Sequence, residues 1–164
     1  MMHRQDGVTL VELLVTLAVI GILVGVVFPG FRGLIDRNGM TTAANSMVLA
    51  INFARSEATR GAGDVRVLPR DSSDATNEWG QGWTVERGTG AAAEVLRVFE
   101  PIANALSFDG VDGVTELRFN NQGLLADGVG RTLNLCLAGD SGVQVAIAPT
   151  GRPSTAGLGV GDCP

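Results

Sequence analysis

The hydrophobic pattern divides the chain into an apolar first segment, an amphipathic second segment and a long series of short alternating runs. The apolar segment runs from Val8 to Phe28, which is 21 residues, and it has no charged side chain after Leu13. As a helix it would be about 31 Å long, close to the thickness of a bilayer core. A small domain could hardly enclose a helix that is apolar on every face, and no small-x-small cleavage site of a secretory signal follows. The pattern therefore predicts a retained membrane anchor.

The second segment keeps the helical period beyond Pro29 but has its apolar side chains on one stripe. The stripe recurs at spacings of four and three residues and consists of Met40, Ala44, Met47, Ile51, Ala54 and Ala58. It ends at Arg60 and Gly61, a cation in the last turn followed by a glycine, as helix C-termini often do. One helix is therefore predicted from about Val8 to Arg60, bent or locally melted at Pro29.

Seven segments after this helix have the alternation and composition of short β-strands. The predicted strands are Val65–Leu68, Gly82–Glu86, Val95–Phe99, Ala105–Phe108, Thr115–Phe119, Leu133–Leu137 and Val143–Ala148. Such strands after one long helix predict an α+β fold, with antiparallel sheets packed against the apolar stripe of the helix. The polar stretch Arg70–Glu78 is predicted to be an exposed loop. The glycine-rich tail Pro149–Gly161 is expected to be unable to build a core of its own.

Composition excludes several kinds of chemistry. The 12 basic residues are all arginine, and the 17 acidic residues give a net charge of −5, which argues against broad nucleic-acid binding. His3 is the single histidine, so histidine-dependent triads and histidine metal sites are excluded from the rest of the chain. Because lysine is absent and the carboxylates are scattered, we predict no catalytic residue, no metal site and no cofactor.

Glu12 is the one charged residue of the apolar segment from Val8 to Phe28. An ionised carboxylate in a bilayer costs a few kcal/mol on insertion scales. Near a helix end it could extend towards the headgroups. Alternatively it could meet a cation from another chain, such as the N-terminal amine of a neighbouring subunit. Its position relative to the short polar leader that ends at Gly7 favours this second interpretation.

The short leader ending in Gly7, followed by Val8-Thr9-Leu10-Val11-Glu12, resembles the processing signal of type IV pilins and pseudopilins. The resemblance implies that a prepilin peptidase cuts between Gly7 and Val8 and methylates Val8, although family members usually begin with phenylalanine. It also implies that Glu12 is the fifth mature residue and acts in subunit assembly. Pro29 would be the twenty-second mature residue, a position at which members of the family carry a proline that loosens the helix.

Four downstream pieces resemble the GspH/FimT branch, whose members are minor pilins and minor pseudopilins; they are Asn52–Ala58, Trp79–Trp83, Leu96–Phe99 and Phe119–Gly123. The piece Leu96–Phe99 has the sequence Leu-Arg-Val-Phe. Both tryptophans, Trp79 and Trp83, are expected to pack in the core. The resemblance implies a type IV pilin-like fold with a leader at 1–7, a transmembrane and assembly half-helix at 8–31, and a periplasmic domain at 32–164.

The implied function is structural rather than enzymatic. The chain would be a single-pass inner-membrane protein that is assembled into a type IV pilus or a type II secretion pseudopilus. Its partners would be the prepilin peptidase, other pilin or pseudopilin subunits and the inner membrane. The alternative function is a receptor for DNA or an exported protein at the filament tip.

The two cysteines are predicted to form a disulfide. Leu133, Leu135 and Leu137 alternate with Cys136, so that Cys136 faces outward if the leucines face the core. An envelope location is oxidising and the cysteines form an even pair, which predicts a Cys136–Cys163 bond that would pin the tail. Two unrelated thiols remain the alternative.

Arg152 is a candidate DNA contact. Some members of the branch bind DNA through a C-terminal Gly-Arg-x-Arg motif, and here Gly151-Arg152-Pro153-Ser154 keeps only the first arginine. Only one arginine and two acidic residues precede Arg32, which leaves 11 arginines and 15 acidic residues from there on, a net charge of −4. DNA binding by this subunit alone is therefore not expected. The paired cysteines and the Gly-Arg pair resemble the pilus side of the branch more than the secretion side.

Overall fold

The computed structural model describes residues 7–103, 105–139 and 141–163, without the side chains of residues 24–32, 62 and 91. The chain divides into two compact units, Met1–Ile35 and Asp36–Pro164. The first contains the beginning of a long helix, and the second contains the end of that helix together with two β-sheets.

Helix α1 spans Leu10–Glu57, 48 residues, and confirms the prediction of one long N-terminal helix. Its first turn is capped by Thr9, whose hydroxyl oxygen accepts the backbone N–H of Glu12 at 3.3 Å. A single π-helical turn, Ala58–Ala62, follows, and Gly61 in it has φ of 112°, a conformation that glycine adopts without strain. The helical assignment continues through Pro29, whose side chain lies outside the described part of the chain, so loosening of the helix there stays a prediction.

Eight strands are present in the described part of the chain. They are β1 (Val65–Pro69), β2 (Trp83–Arg87), β3 (Glu94–Phe99), β4 (Leu106–Gly110), β5 (Leu117–Phe119), β6 (Arg131–Leu137), β7 (Gly142–Ile147) and β8 (Pro153–Leu158). A 3₁₀ turn, Gly90–Ala92, lies between β2 and β3. The first sheet has the order β3-β2-β1-β5 and the second the order β4-β6-β7-β8, and every pair of neighbours is antiparallel.

Seven of these strands correspond to the predicted ones, with ends that differ by up to two residues. The eighth lies outside the predicted strands, because part of the tail Pro149–Gly161 is regular structure. Strand β8 pairs with β7 along its whole length, from Gly142 opposite Leu158 to Ile147 opposite Pro153. Backbone hydrogen bonds hold this strand, and its small, mostly exposed side chains add little to the core.

The core of the second unit forms where both sheets meet the apolar stripe of α1. All six residues of the predicted stripe are buried, and none is more than 5% exposed. Five buried positions of α1 and the turn that follows it carry only a methyl group, so the strands can pack close to the helix backbone; they are Ala43, Ala44, Ala50, Ala54 and Ala58. The sheets supply the larger side chains, which include Val65, Val85, Leu117, Phe119, Phe108, Leu133, Leu135 and Val145.

Both tryptophans lie in the core, as the sequence predicts. Trp83 stacks on Phe99 of β3 with ring centroids 5.5 Å apart, and meets Phe108 of β4 edge-on at 5.7 Å. Because β3 and β4 belong to different sheets, this cluster of three rings joins the sheets. Trp79 is fully buried, and its indole N–H donates to the carbonyl of Val114 at 2.8 Å.

An ion-pair cluster fixes the end of α1 against the β2–β3 hairpin. The guanidinium of Arg87 lies 2.9 Å from a carboxylate oxygen of Glu57 on α1 and 2.9 Å from one of Glu94 on β3. Glu57 also pairs with Arg60 at 3.0 Å. The Glu57 side chain is only 13% exposed, so this network is better shielded from solvent than an ordinary surface pair.

We predict that the stripe of α1 carries much of the stability of the second unit. Replacement of the fully buried Ile51 by alanine leaves a cavity and should lower the free energy of unfolding by about 2–5 kcal/mol. Leu49 lies on the same helix and is 47% exposed, so Leu49→Ala should cost less than about 1 kcal/mol. Denaturant unfolding of the full chain in detergent, followed by tryptophan fluorescence, measures both. Equal losses for the two variants would contradict the prediction.

Candidate functional site

The first half of α1 exposes apolar side chains on every face. Eleven large ones, ten in α1 and Val8 just before it, are 49% to 76% exposed: Val8, Leu10, Val11, Leu13, Leu14, Val15, Leu17, Val19, Ile20, Ile22 and Leu23. A continuous exposed apolar surface of this extent is unusual for a soluble monomer and marks an interaction surface. Among the described residues, no helix meets both the length and the hydropathy that a membrane span requires.

Glu12 is the charged residue of this surface. It lies in the first turn of α1 and is exposed, and no residue that the structure describes pairs with its carboxylate. The neighbouring polar side chain, Thr16, is satisfied within the helix, because its hydroxyl donates to the carbonyl of Leu13 at 2.9 Å. The carboxylate of Glu12 is therefore an exposed charge on this apolar surface, with no partner among the described residues.

The candidate processing site lies just before α1. Gly7 and Val8 precede the first helical residue, Leu10, and both are exposed. A Cβ atom added at Gly7 would meet nothing within 4 Å among the described residues. The backbone between Gly7 and Val8 is thus outside regular structure, a condition that a peptidase needs.

The predicted disulfide between Cys136 and Cys163 is present in the structure. Cys136 alternates with the core residues Leu133 and Leu135 along β6 and so faces away from the core, yet it is only 3% exposed. The tail covers it, because residues after β8 turn back through a hydrogen bond from the Gly159 N–H to Asp162. Closing the 27-residue separation contributes about 3.5 kcal/mol in the loop-entropy model.

Gly142 makes this crossing of the tail possible. It stands directly opposite Cys136 in the register of β6 and β7. A Cβ atom at Gly142 would lie 2.5 Å from the sulfur of Cys163 and 2.7 Å from the carbonyl oxygen of Leu135. Any side chain at this position would therefore push the tail away from Cys136. The sequence contains no local signal for this role, since the crossing depends on two segments that meet only in the fold.

Arg152 lies at the turn between β7 and β8, and its side chain is exposed. No carboxylate of the described residues pairs with it. Its neighbour Gly151 is buried with φ of 75°, and a Cβ atom there would clash with the carbonyl of Gly123 and lie 2.9 Å from Nε of Arg55. That nitrogen donates to the Gly123 carbonyl at 3.1 Å. The glycine of the Gly-Arg pair thus has a packing role, whereas the arginine is free to contact a partner.

A pair of carboxyl groups was missed by sequence reasoning. Glu78, predicted to end an exposed loop, is only 4% exposed, and its carboxyl group contacts that of Asp109 on β4. Burial, the hydrogen bond with Glu78 and the charge of Glu78 raise the pKa of Asp109 to about 6. The remainder of the loop, from Arg70 to Thr76, is exposed as predicted. Alternation along β4 places Asp109 outward, but no sequence pattern indicates which residue meets it.

Among the described residues, one cavity of about 550 Å³ is lined by residues of segments 111–118 and 125–132. Its two arginines, Arg118 and Arg131, are already paired with Asp64 and Asp127. In the described ranges, no three His, Cys, Asp or Glu side chains are grouped as metal ligands would be.

Comparison with known proteins matches both parts of the chain. A family profile described as "Type II transport protein GspH" matches residues 43–151, and one described as "Prokaryotic N-terminal methylation motif" matches residues 2–28. The second profile includes Gly7, Val8 and Glu12. No curated protein sequence matches the chain significantly.

Solved structures show the same fold. The type IV minor pilin FimU of Pseudomonas aeruginosa superposes with a TM-score of 0.63 at 23% identity, covering 75% of this chain and 92% of that one. The minor pseudopilin EpsH of the type 2 secretion system of Vibrio cholerae superposes with a TM-score of 0.53 at 16% identity, covering 74% and 98%. The α+β fold, a long N-terminal helix packed on antiparallel sheets, is thereby confirmed.

We predict that Gly142→Ala prevents complete formation of the Cys136–Cys163 bond, because the added methyl group occupies the path of the tail. Gly157→Ala on β8 is the matched control, since a Cβ atom there meets nothing within 4 Å among the described residues. Thiol titration of the denatured, unreduced full chain should find free sulfhydryls in the Gly142 variant and none in the control. Complete oxidation of the Gly142 variant would contradict this role.

Proposed function

The chain belongs to the family of the type II transport protein GspH. We propose that it is a structural subunit of a type IV pilus and that it is assembled through the first half of α1. Members of this family are minor pilins and pseudopilins, which are structural subunits and not enzymes. The methylation motif implies processing by prepilin peptidase, anchoring in the inner membrane and assembly with other pilins.

The exposed apolar surface of residues 8–23 is the observation that carries this proposal. Full burial of one such side chain contributes roughly 1.5–3 kcal/mol, so eleven of them together drive the segment strongly out of water. Before assembly the bilayer of the inner membrane would cover them, with the C-terminal domain in the periplasm. In the filament the helices of other subunits would replace the lipid.

Processing would prepare the helix for this exchange. We propose that prepilin peptidase removes residues 1–7 by cutting between Gly7 and Val8, and that Val8 is then N-methylated. The exposure of this junction ahead of α1 supports the proposal. Residues 8–31, which include Pro29, would form the transmembrane and assembly half of the helix, and residues 32–164 the periplasmic domain.

Glu12 would set the register between subunits. After processing, the amine of Val8 becomes the chain terminus, and the carboxylate of Glu12 in one subunit would neutralise the amine of its neighbour. The pairing would take place among apolar side chains, where an unpaired charge is costly. The absence of a partner for Glu12 among the described residues of its own chain supports this role.

Assignment to the pilus rather than to the secretion pseudopilus rests on smaller observations. The chain superposes better on the minor pilin FimU than on the minor pseudopilin EpsH, with TM-scores of 0.63 and 0.53. The Cys136–Cys163 disulfide and the Gly-Arg pair of the tail also resemble the pilus side of the family.

DNA binding at Arg152 is the second candidate function, and exposure of its guanidinium is the observation in its favour. Binding of a phosphate backbone needs several cations together. The neighbouring Arg55 uses its Nε–H on the Gly123 carbonyl, and the unit as a whole is acidic. We therefore assign DNA contact to a filament that combines arginines from several subunits, and not to this subunit alone.

We predict that Glu12→Ala permits membrane insertion and leader removal but reduces incorporation into sheared filaments tenfold or more. The expected size follows from the cost of breaking a buried ion pair, about 3–5 kcal/mol. Thr16→Ala, one turn further along the same apolar surface, is the control and should be incorporated normally. Immunoblots of the membrane and sheared-filament fractions measure both steps. Normal incorporation of the Glu12 variant would exclude the proposed pairing.

A further inference from the structure

The turn formed by residues 77–80 is fastened to the free edge of β4. The backbone N–H of Trp79 donates to the carbonyl of Phe108 at 3.0 Å. The N–H of Phe108 donates to the Asn77 side-chain oxygen at 2.7 Å, and that of Gly110 donates to a carboxylate oxygen of Glu78 at 3.4 Å. Because β4 is an edge strand of the second sheet, these bonds occupy groups that a neighbouring strand would otherwise use.

A pair of carboxyl groups lies within this contact. Glu78 is 4% exposed, and its carboxyl group lies within hydrogen-bonding reach of that of Asp109. Oδ1 of Asp109 is fully buried and accepts no hydrogen bond from an N–H or hydroxyl group of the described residues. Two ionised carboxylates can only accept, so a hydrogen bond between them requires that one of them carry a proton.

No described residue supplies a compensating positive charge to Asp109. Besides Glu78, the groups that act on Asp109 are the N–H of Gly110 and, more weakly, the negative charge of Asp74. On the adjacent strand β6, the residue opposite Asp109 is the neutral Asn134, whose side-chain oxygen accepts from Gln144 at 3.4 Å. Full ionisation of the pair would therefore place two negative charges side by side in a partly buried site.

We propose that Asp109 carries a proton, which it donates to the carboxylate of Glu78, and that the two groups form a pH-dependent latch. The latch holds the 77–80 turn on β4 while Asp109 is protonated and loosens the turn when this proton is lost. The consequence reaches Trp79 and the exposed loop before it, because both are attached to β4 through this turn. The other bonds, from Phe108 and Trp79, limit the opening to a local one.

The direction of the pH effect follows from the pKa of Asp109. Burial and Glu78 raise this pKa to about 6 from an ordinary value of 3.8, so the folded chain holds the proton more tightly than the unfolded chain does. The contribution of the pair to stability is complete below about pH 3.8 and is lost as the pH rises through about 6. The latch is thus closed in mild acid and loosened at neutral pH and above.

Hydrogen exchange of the full chain in detergent, followed by mass spectrometry from pH 5 to 8 and corrected for intrinsic rates, tests the proposal. In the wild-type chain, protection of the amides from Asn77 to Trp79 and at Gly110 should fall on the order of tenfold between pH 5 and 7.5. Asp109→Asn replaces the proton of Asp109 with a permanent N–H donor. It should keep the protection across this range and raise the unfolding temperature at pH 7.5.

Two further variants complete the test. Glu78→Gln supplies a permanent donor from the other side and should give the same result, so the proposal can be judged even if the Asp109 variant does not fold. Glu100→Gln removes a carboxylate whose side chain is 86% exposed and should behave as the wild type does. The latch is excluded if wild-type protection does not fall with pH, or if the Asp109 and Glu78 variants show the same fall.

Discussion

The packing of two sheets on one apolar stripe of α1 is the interaction on which the second unit depends. The stripe from Met40 to Ala58 is buried throughout, and its alanines allow the strands to come close to the helix backbone. The same helix begins with a segment whose apolar side chains no described residue covers. One continuous element would therefore serve two purposes, because its second half contributes to the core of the second unit and its first half would offer the surface for the proposed assembly.

The C-terminal tail is held by backbone geometry rather than by side-chain burial. Strand β8 adds to the second sheet through hydrogen bonds with β7, and the disulfide then returns the chain end to β6. At Gly142 and at Gly151, another part of the chain occupies the position that a side chain would take. A tail that is poor in apolar residues thus becomes ordered by one covalent bond and two close backbone approaches.

The helix, its stripe and seven strands could be predicted because each follows from a local period of 3.6 or 2 residues. Strand β8 could not, since Pro153–Leu158 has no apolar alternation and is a strand only because β7 lies beside it. Burial of Glu78 escaped prediction for a similar reason, because contacts with the distant strand β4 bring its turn inward. Of the site, Cys136 and Cys163 could be paired because they are two in number, an oxidising location is expected and alternation turns Cys136 outward. Roles for Gly7, Val8, Glu12 and Pro29 depended on resemblance to a family.

The central claim, that the chain is a structural subunit of a type IV pilus, is tested most directly by deletion of its gene. Sheared surface pili and secreted proteins in the culture supernatant would be measured in the same strain, with the wild-type gene restored as the control. We expect pili to be lost or strongly reduced while secretion stays normal. Normal pili would contradict the claim, and normal pili with lost secretion would place the chain in the secretion pseudopilus instead.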